Sequence, residues 1–71
     1  MKLRLQPGHF YLSKGGDIWC CYRLRKFAPG HTAADCINTV TSAVEYFYID
    51  GRYDEAGERE HTLVKECGPT L

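Results

Sequence analysis

Along most of this chain, side chains alternate in character with a period of two. In HFYLSK, Phe10 and Leu12 alternate with Tyr11 and Ser13. In DIWCCYRLR, Ile18, Cys20, Tyr22 and Leu24 share one face, and Trp19, Cys21, Arg23 and Arg25 share the other. In VEYFYI, Val44, Tyr46 and Tyr48 alternate with Glu45, Phe47 and Ile49. A period of two sends successive side chains to opposite sides of an extended backbone, and these runs are rich in aromatic and β-branched residues, so strands are predicted. One face of each run is expected to point inward. That gives a predicted core of Phe10, Leu12, Ile18, Cys20, Tyr22, Leu24, Val44, Tyr46, Tyr48, Leu63 and Val64.

Pro7-Gly8, Gly15-Gly16, Pro29-Gly30, Asp50-Gly51 and Gly68-Pro69 punctuate the runs. SKGGDI reads as a hairpin turn, and Asp50-Gly51 as a tight I′-type turn between EYFYI and RYDEA. CINTVT (36–41) reads as a third strand that turns near Thr41-Ser42-Ala43 into a fourth, or residues 36–49 form one long bent strand. Residues 26–35 are a loop, and HTLVKE is a closing strand. TAADCINTVTSAVEYF can also be drawn as a helix, but its β-branched content opposes that. The fold class is therefore mainly β: a single small antiparallel domain of four to five strands over residues 1–71, either an SH3-like barrel or a partly open β-roll. Its ends, residues 1–6 and 68–71, are expected to fray.

Seventy-one residues bury only ~60% of the unfolded surface, which leaves a minimal core and little chain for a deep catalytic cleft. A non-enzymatic protein is expected. Charged residues make up 25% and cancel overall, but their distribution is uneven. Residues 1–30 carry six Lys/Arg and one Asp, and residues 31–71 carry three Lys/Arg and eight Asp/Glu. The two halves are expected to pair and neutralise one another. Arg4 and Gln6 interrupt the only apolar stretch near Met1, so no signal peptide is read and a cytoplasmic location is expected, without membrane association.

The four cysteines include no C-x-x-C pair, and His9, His31 and His61 fall at no finger-like spacing, so no metal site and no cofactor is predicted. Reduced thiols are expected, with Cys20 and Cys36 acting as small hydrophobes. No phosphate loop or dinucleotide fingerprint occurs. The acidic cluster Asp54-Glu55, Glu58 and Glu60 reads as a solvated turn.

Two binding readings follow. With aromatic residues on both strand faces, a small interior cannot hide them all. The surplus, with Trp19, Arg23, Arg25, Phe47 and Tyr53 as candidate binding residues, suits a protein partner or a second copy of the chain. The alternative is a single-stranded nucleic-acid-binding small β-barrel, in which Trp19 stacks on a base beside Arg23, Arg25 and Lys26.

The order GHFYLSKGGDIWCCYRL, VEYFYIDGRYDEAGE, HTLVKE resembles a group of small phage- and prophage-encoded β-rich proteins of uncharacterised function. Their loose pattern has a G-x-Y-x-x-[RK]-[DG]-G start, a middle strand pair, a Y-x-D-G-R-Y turn and a final [DH]-x-L-V. Gly8, Tyr11, Lys14 and Gly16 correspond loosely to the start, Tyr48 with Asp50-Gly51-Arg52-Tyr53 to the turn, and His61, Leu63 and Val64 to the end. The doubled cysteine and the Pro29-Gly30 segment depart from the pattern. The resemblance implies a compact β-rich accessory protein acting in a bacterial host by contact with a phage or host protein, and it assigns no site residue.

Overall fold

The computed structural model describes residues 3–54 and 56–69, apart from the Phe27 side chain. Met1, Lys2, Glu55, Thr70 and Leu71 lie outside the described residues, and with them parts of the ends and of the acidic turn expected from sequence. Of the ends expected to fray, Leu5 is instead held in the core and Gly68 is paired in the sheet. Five strands form one antiparallel sheet: β1 (Phe10–Ser13), β2 (Ile18–Ala28), β3 (His31–Asn38), β4 (Val44–Tyr48) and β5 (Leu63–Gly68), in the order β4-β3-β2-β1-β5. β1 to β4 run as a meander, and β5 returns to pair with β1. The segment after β4 bends back over one face: Leu5 N–H donates to Ile49 O and Leu63 N–H to Gly51 O, each at 2.8 Å. The sheet is thereby curled into a partly open roll, and the helix drawn through residues 33–48 is instead β3, a turn and β4.

The turns follow the local chemistry. Gly16 N–H bonds Ser13 O while Ser13 N–H bonds Asp17 O; Gly51 N–H bonds Tyr48 O while Tyr48 N–H bonds Arg52 O. Each is a three-residue loop whose last residue is a glycine at positive φ, 92° and 95°. Asp50 has no positive φ, so the loop is a type I turn with a glycine bulge and not the I′ turn expected. Gly51 is also confined sterically, since a Cβ there would stand 3.0 Å from Leu63 O. Asn38 Oδ1 accepts from Val40 and Thr41 N–H, which ends β3 at Asn38, so Thr39, Val40 and Thr41, expected in the third strand, belong to the turn.

Residues 26–35, expected to be a loop, are the end of β2, the Pro29-Gly30 turn and most of β3. The error has a simple cause: Pro-Gly needs only two residues to reverse a strand, and the alanine-rich run after it carries no alternation to announce a strand.

The larger correction concerns the faces. The buried cluster is Leu5, Tyr11, Trp19, Cys21, Ala34, Cys36, Phe47 and Leu63. Of the predicted core only Leu63 is in it. Tyr22, Leu24, Val44, Tyr46 and Val64 are exposed, and Phe10, Leu12, Ile18, Cys20 and Tyr48 are half-buried. The inner face is the one carrying the largest rings. Trp19 lies edge-on to Phe47 (5.3 Å) and against His61 (5.3 Å); Tyr53 closes the circuit, 5.7 Å from Phe47 and 5.0 Å from His61. Two of these four rings come from the connection after β4, so the roll closes around Trp19.

Alternation along β2 is also interrupted. Cys21 pairs with Cys36, but Arg23 pairs with Asp35, so β2 spends an extra residue there. This bulge shifts the phase: Trp19 and Cys21 point in, whereas Arg23 and Arg25 share the outer face with Ile18 and Cys20.

Replacing Trp19 by alanine is expected to cost ~3–5 kcal/mol, and replacing exposed Tyr22 or Tyr46 by alanine less than about 1 kcal/mol. Urea unfolding of the three variants measures this, and the reverse ranking would mean that the faces are exchanged.

Candidate functional site

Pairing across the sheet lays out the outer face in rows. Phe10 faces Cys20, Cys20 faces Ile37, and Ile37 faces Val44, giving one apolar row that crosses four strands. Leu12 and Ile18 extend it. Two further rows are polar and aromatic: Arg23, Asp35 and Tyr46, then Arg25, Ala33 and Tyr48. Phe10, Leu12, Ile18, Cys20 and Ile37 in the apolar row are half-buried, and exposure rises toward β4. Val44 is 53% exposed and Tyr46 66%.

Asp35 sits at the centre of the polar rows and is buried. Arg23 Nε donates to Oδ2 at 2.8 Å, and Arg25 donates to Oδ1 through Nη2 at 2.9 Å and Nε at 3.2 Å. Burial pushes the carboxyl pKa up, but the two guanidinium partners outweigh it and hold it below the usual carboxylate range. The pairing across the two halves of the chain thus falls on Asp35. Both arginines stay about half exposed, so solvent screens the pair and its contribution is modest. Arg25 also lies 5.6 Å over the Tyr46 ring, and Arg52 lies 4.8 Å over Tyr48.

A groove of about 460 Å³ opens beside these residues, lined by Arg25, Ala33, Tyr46, Phe47, Tyr48 and Tyr53. Ala33 has no bulk to fill it. Tyr53 stands across β4, its hydroxyl donating to Glu45 Oε1 at 3.0 Å; that bond, then burial, raises its pKa.

Of the five candidate binding residues, Arg23 and Arg25 meet on the outer face at Asp35. Trp19 and Phe47 meet each other in the core, each at most 2% exposed; Trp19 offers no surface, and Phe47 only reaches the wall of the groove. Tyr53 is half-buried between the ring cluster and the groove. The stacking ring and the arginines expected on one face are therefore on opposite faces. Sequence reading missed Tyr46 and Val44 as surface residues, and β4 offered a misleading signal, because its one charge, Glu45, lies on the same side as buried Phe47. Among the described residues no three His, Cys, Asp or Glu side chains converge as a metal site would require.

Because the Asp35 carboxyl titrates lower in the folded chain than in the unfolded one, its stabilisation is present above the unfolded value of about 3.9 and is lost as pH falls through the folded value. The urea-midpoint gap between the wild type and Asp35→Asn is expected to hold steady from about pH 8 to 5 and narrow below about pH 4. A gap unchanged into acid would contradict the pairing.

No protein-family model, curated protein or solved structure matches this chain.

Proposed function

We propose that this chain is a non-enzymatic protein-contact module, an accessory protein of the small phage or prophage kind acting in a bacterial cytoplasm, and that it works through the outer face of its sheet. The apolar row Phe10, Cys20, Ile37 and Val44 carries this reading. A solvent face of an antiparallel sheet ordinarily alternates to polar residues; this one keeps aliphatic and aromatic side chains across four strands. The polar row with Asp35, Arg23 and Arg25 beside it supplies the charged rim that contact surfaces carry.

The simplest occupant is the same face of a second copy. Packing two such faces about a twofold axis covers all three rows at once and adds apolar burial to a chain whose own core is small. Extension edge to edge through β4 is less favourable. Alternation from the Asn38 N–H to Ala43 O bond turns the backbone groups of Val44, Tyr46 and Tyr48 toward the free edge. Those of Tyr48 are already bonded to Arg52 and Gly51, which leaves a short, blunted edge.

A second reading, single-stranded nucleic-acid binding, is favoured by one observation: the exposed Tyr46 ring beside the Arg25 guanidinium, a stacking surface next to a cation. Against it, Asp35 already engages both Arg23 and Arg25.

Light scattering is expected to give twice the 8.1 kDa chain mass for the wild type and a monomer for Val44→Lys/Tyr46→Ser, with unfolding still cooperative. A wild-type monomer at all concentrations overturns self-association. If that monomer also retards a short single strand at low salt, and Tyr46→Ser abolishes the shift, the nucleic-acid reading replaces it.

A further inference from the structure

Two thiols face one another in the interior. Cys21 on β2 and Cys36 on β3 are directly paired, both point to the inner face, and both are 0% exposed. Thr39 N–H bonds Ile18 O, and alternation from that pair makes the Cys21–Cys36 position a non-hydrogen-bonded one. Cys21 confirms this: its backbone N–H donates to His9 O, and its C=O accepts from Gly8 N–H, both on the β1 side. At such positions Cα atoms stand about 4.5 Å apart, inside the span of about 4.4–6.8 Å that a disulfide bridges. The other thiols are placed differently. Cys20 projects from the opposite face of β2, and Cys67 lies on β5.

We propose that Cys21 and Cys36 form a cross-strand dithiol that closes to a disulfide when the protein meets a low-molecular-weight disulfide such as oxidised glutathione, clamping β2 to β3 with the fold unchanged. The facing thiol lowers the pKa of Cys21 and, with burial, raises that of Cys36, whose Sγ also lies 4.0 Å from Ala34 O. Cys21 is accordingly the first nucleophile. Its thiolate attacks one sulfur of oxidised glutathione, forming a mixed disulfide and releasing one glutathione thiolate. Cys36 then gives up its proton to solvent and attacks the Cys21 sulfur, expelling the second glutathione. The protein dithiol is oxidised by two electrons, and one glutathione disulfide is reduced to two thiols. Burial makes the exchange wait on local opening of the sheet, so it is slow and speeds up with dilute urea. The product links residues 21 and 36 and thereby constrains the unfolded chain.

The test is equilibration of the whole chain with oxidised glutathione in sub-denaturing urea, followed by thiol alkylation, intact mass and tryptic mapping. The expected product has two alkylated thiols, a mass lower by about 2 Da than the dithiol form before alkylation, a link between tryptic peptides 15–23 and 27–52, and a raised Tm. The same link persists in Cys20→Ala, which assigns it to Cys21. A link through Cys20 or Cys67, glutathione adducts without an internal bridge, or four free thiols would each overturn the proposal.

Discussion

Burial of the Trp19 indole is the constraint from which the remaining arrangement follows. The ring is too large for one strand pair to cover, so Phe47 from β4 and Tyr53 and His61 from the following connection close around it. That closure draws the far end of β4 toward the start of β5, where Gly51 O meets Leu63 N–H. A flat five-stranded sheet is thus curled into a roll by one aromatic circuit. Within it Trp19 Nε1 has no hydrogen-bond partner among the described residues. The surrounding ring faces are the compensation available to such an N–H.

The bulge after Cys21 lets one strand serve two surfaces. Without it Trp19, Cys21, Arg23 and Arg25 would share a face, and two guanidinium groups would be driven toward the core. The extra residue moves the arginines outward, where Asp35 accepts both. Its result is an outer face divided into an apolar part and an arginine–aspartate–tyrosine part. That division underlies the contact role proposed above. The cysteine pair lies just before the bulge, where β2 and β3 are still in regular register.

The strands were legible in the sequence because alternation and glycine-marked turns are local signals. The hairpin at Gly15-Gly16 and the closing strand after His61 stand where those signals put them, whereas the turn after Asn38 carries no glycine and was poorly signalled. The inner face was not legible. With Tyr22, Tyr46 and Tyr48 on one side and Trp19, Phe47 and Tyr53 on the other, alternation fixes a period but not a phase. Ring size would have favoured the side of Trp19 and Phe47; aliphatic count favoured the other. The bulge was invisible as well, since no glycine or proline marks Tyr22. For the candidate site this meant that Arg23 and Arg25 could be read as surface residues, while Trp19 was wrongly set beside them and Tyr46 was set inside. Asp35 could not be singled out, because its role arises only when β3 lies between β2 and β4.

The phase of the sheet is tested most directly by the single tryptophan. Steady-state emission of the folded chain, with acrylamide and iodide quenching, should show a blue-shifted Trp19 nearly inaccessible to either quencher, becoming red-shifted and readily quenched only on unfolding. A red-shifted, readily quenched Trp19 in the folded protein would contradict the account, because the inner and outer rows would then be exchanged.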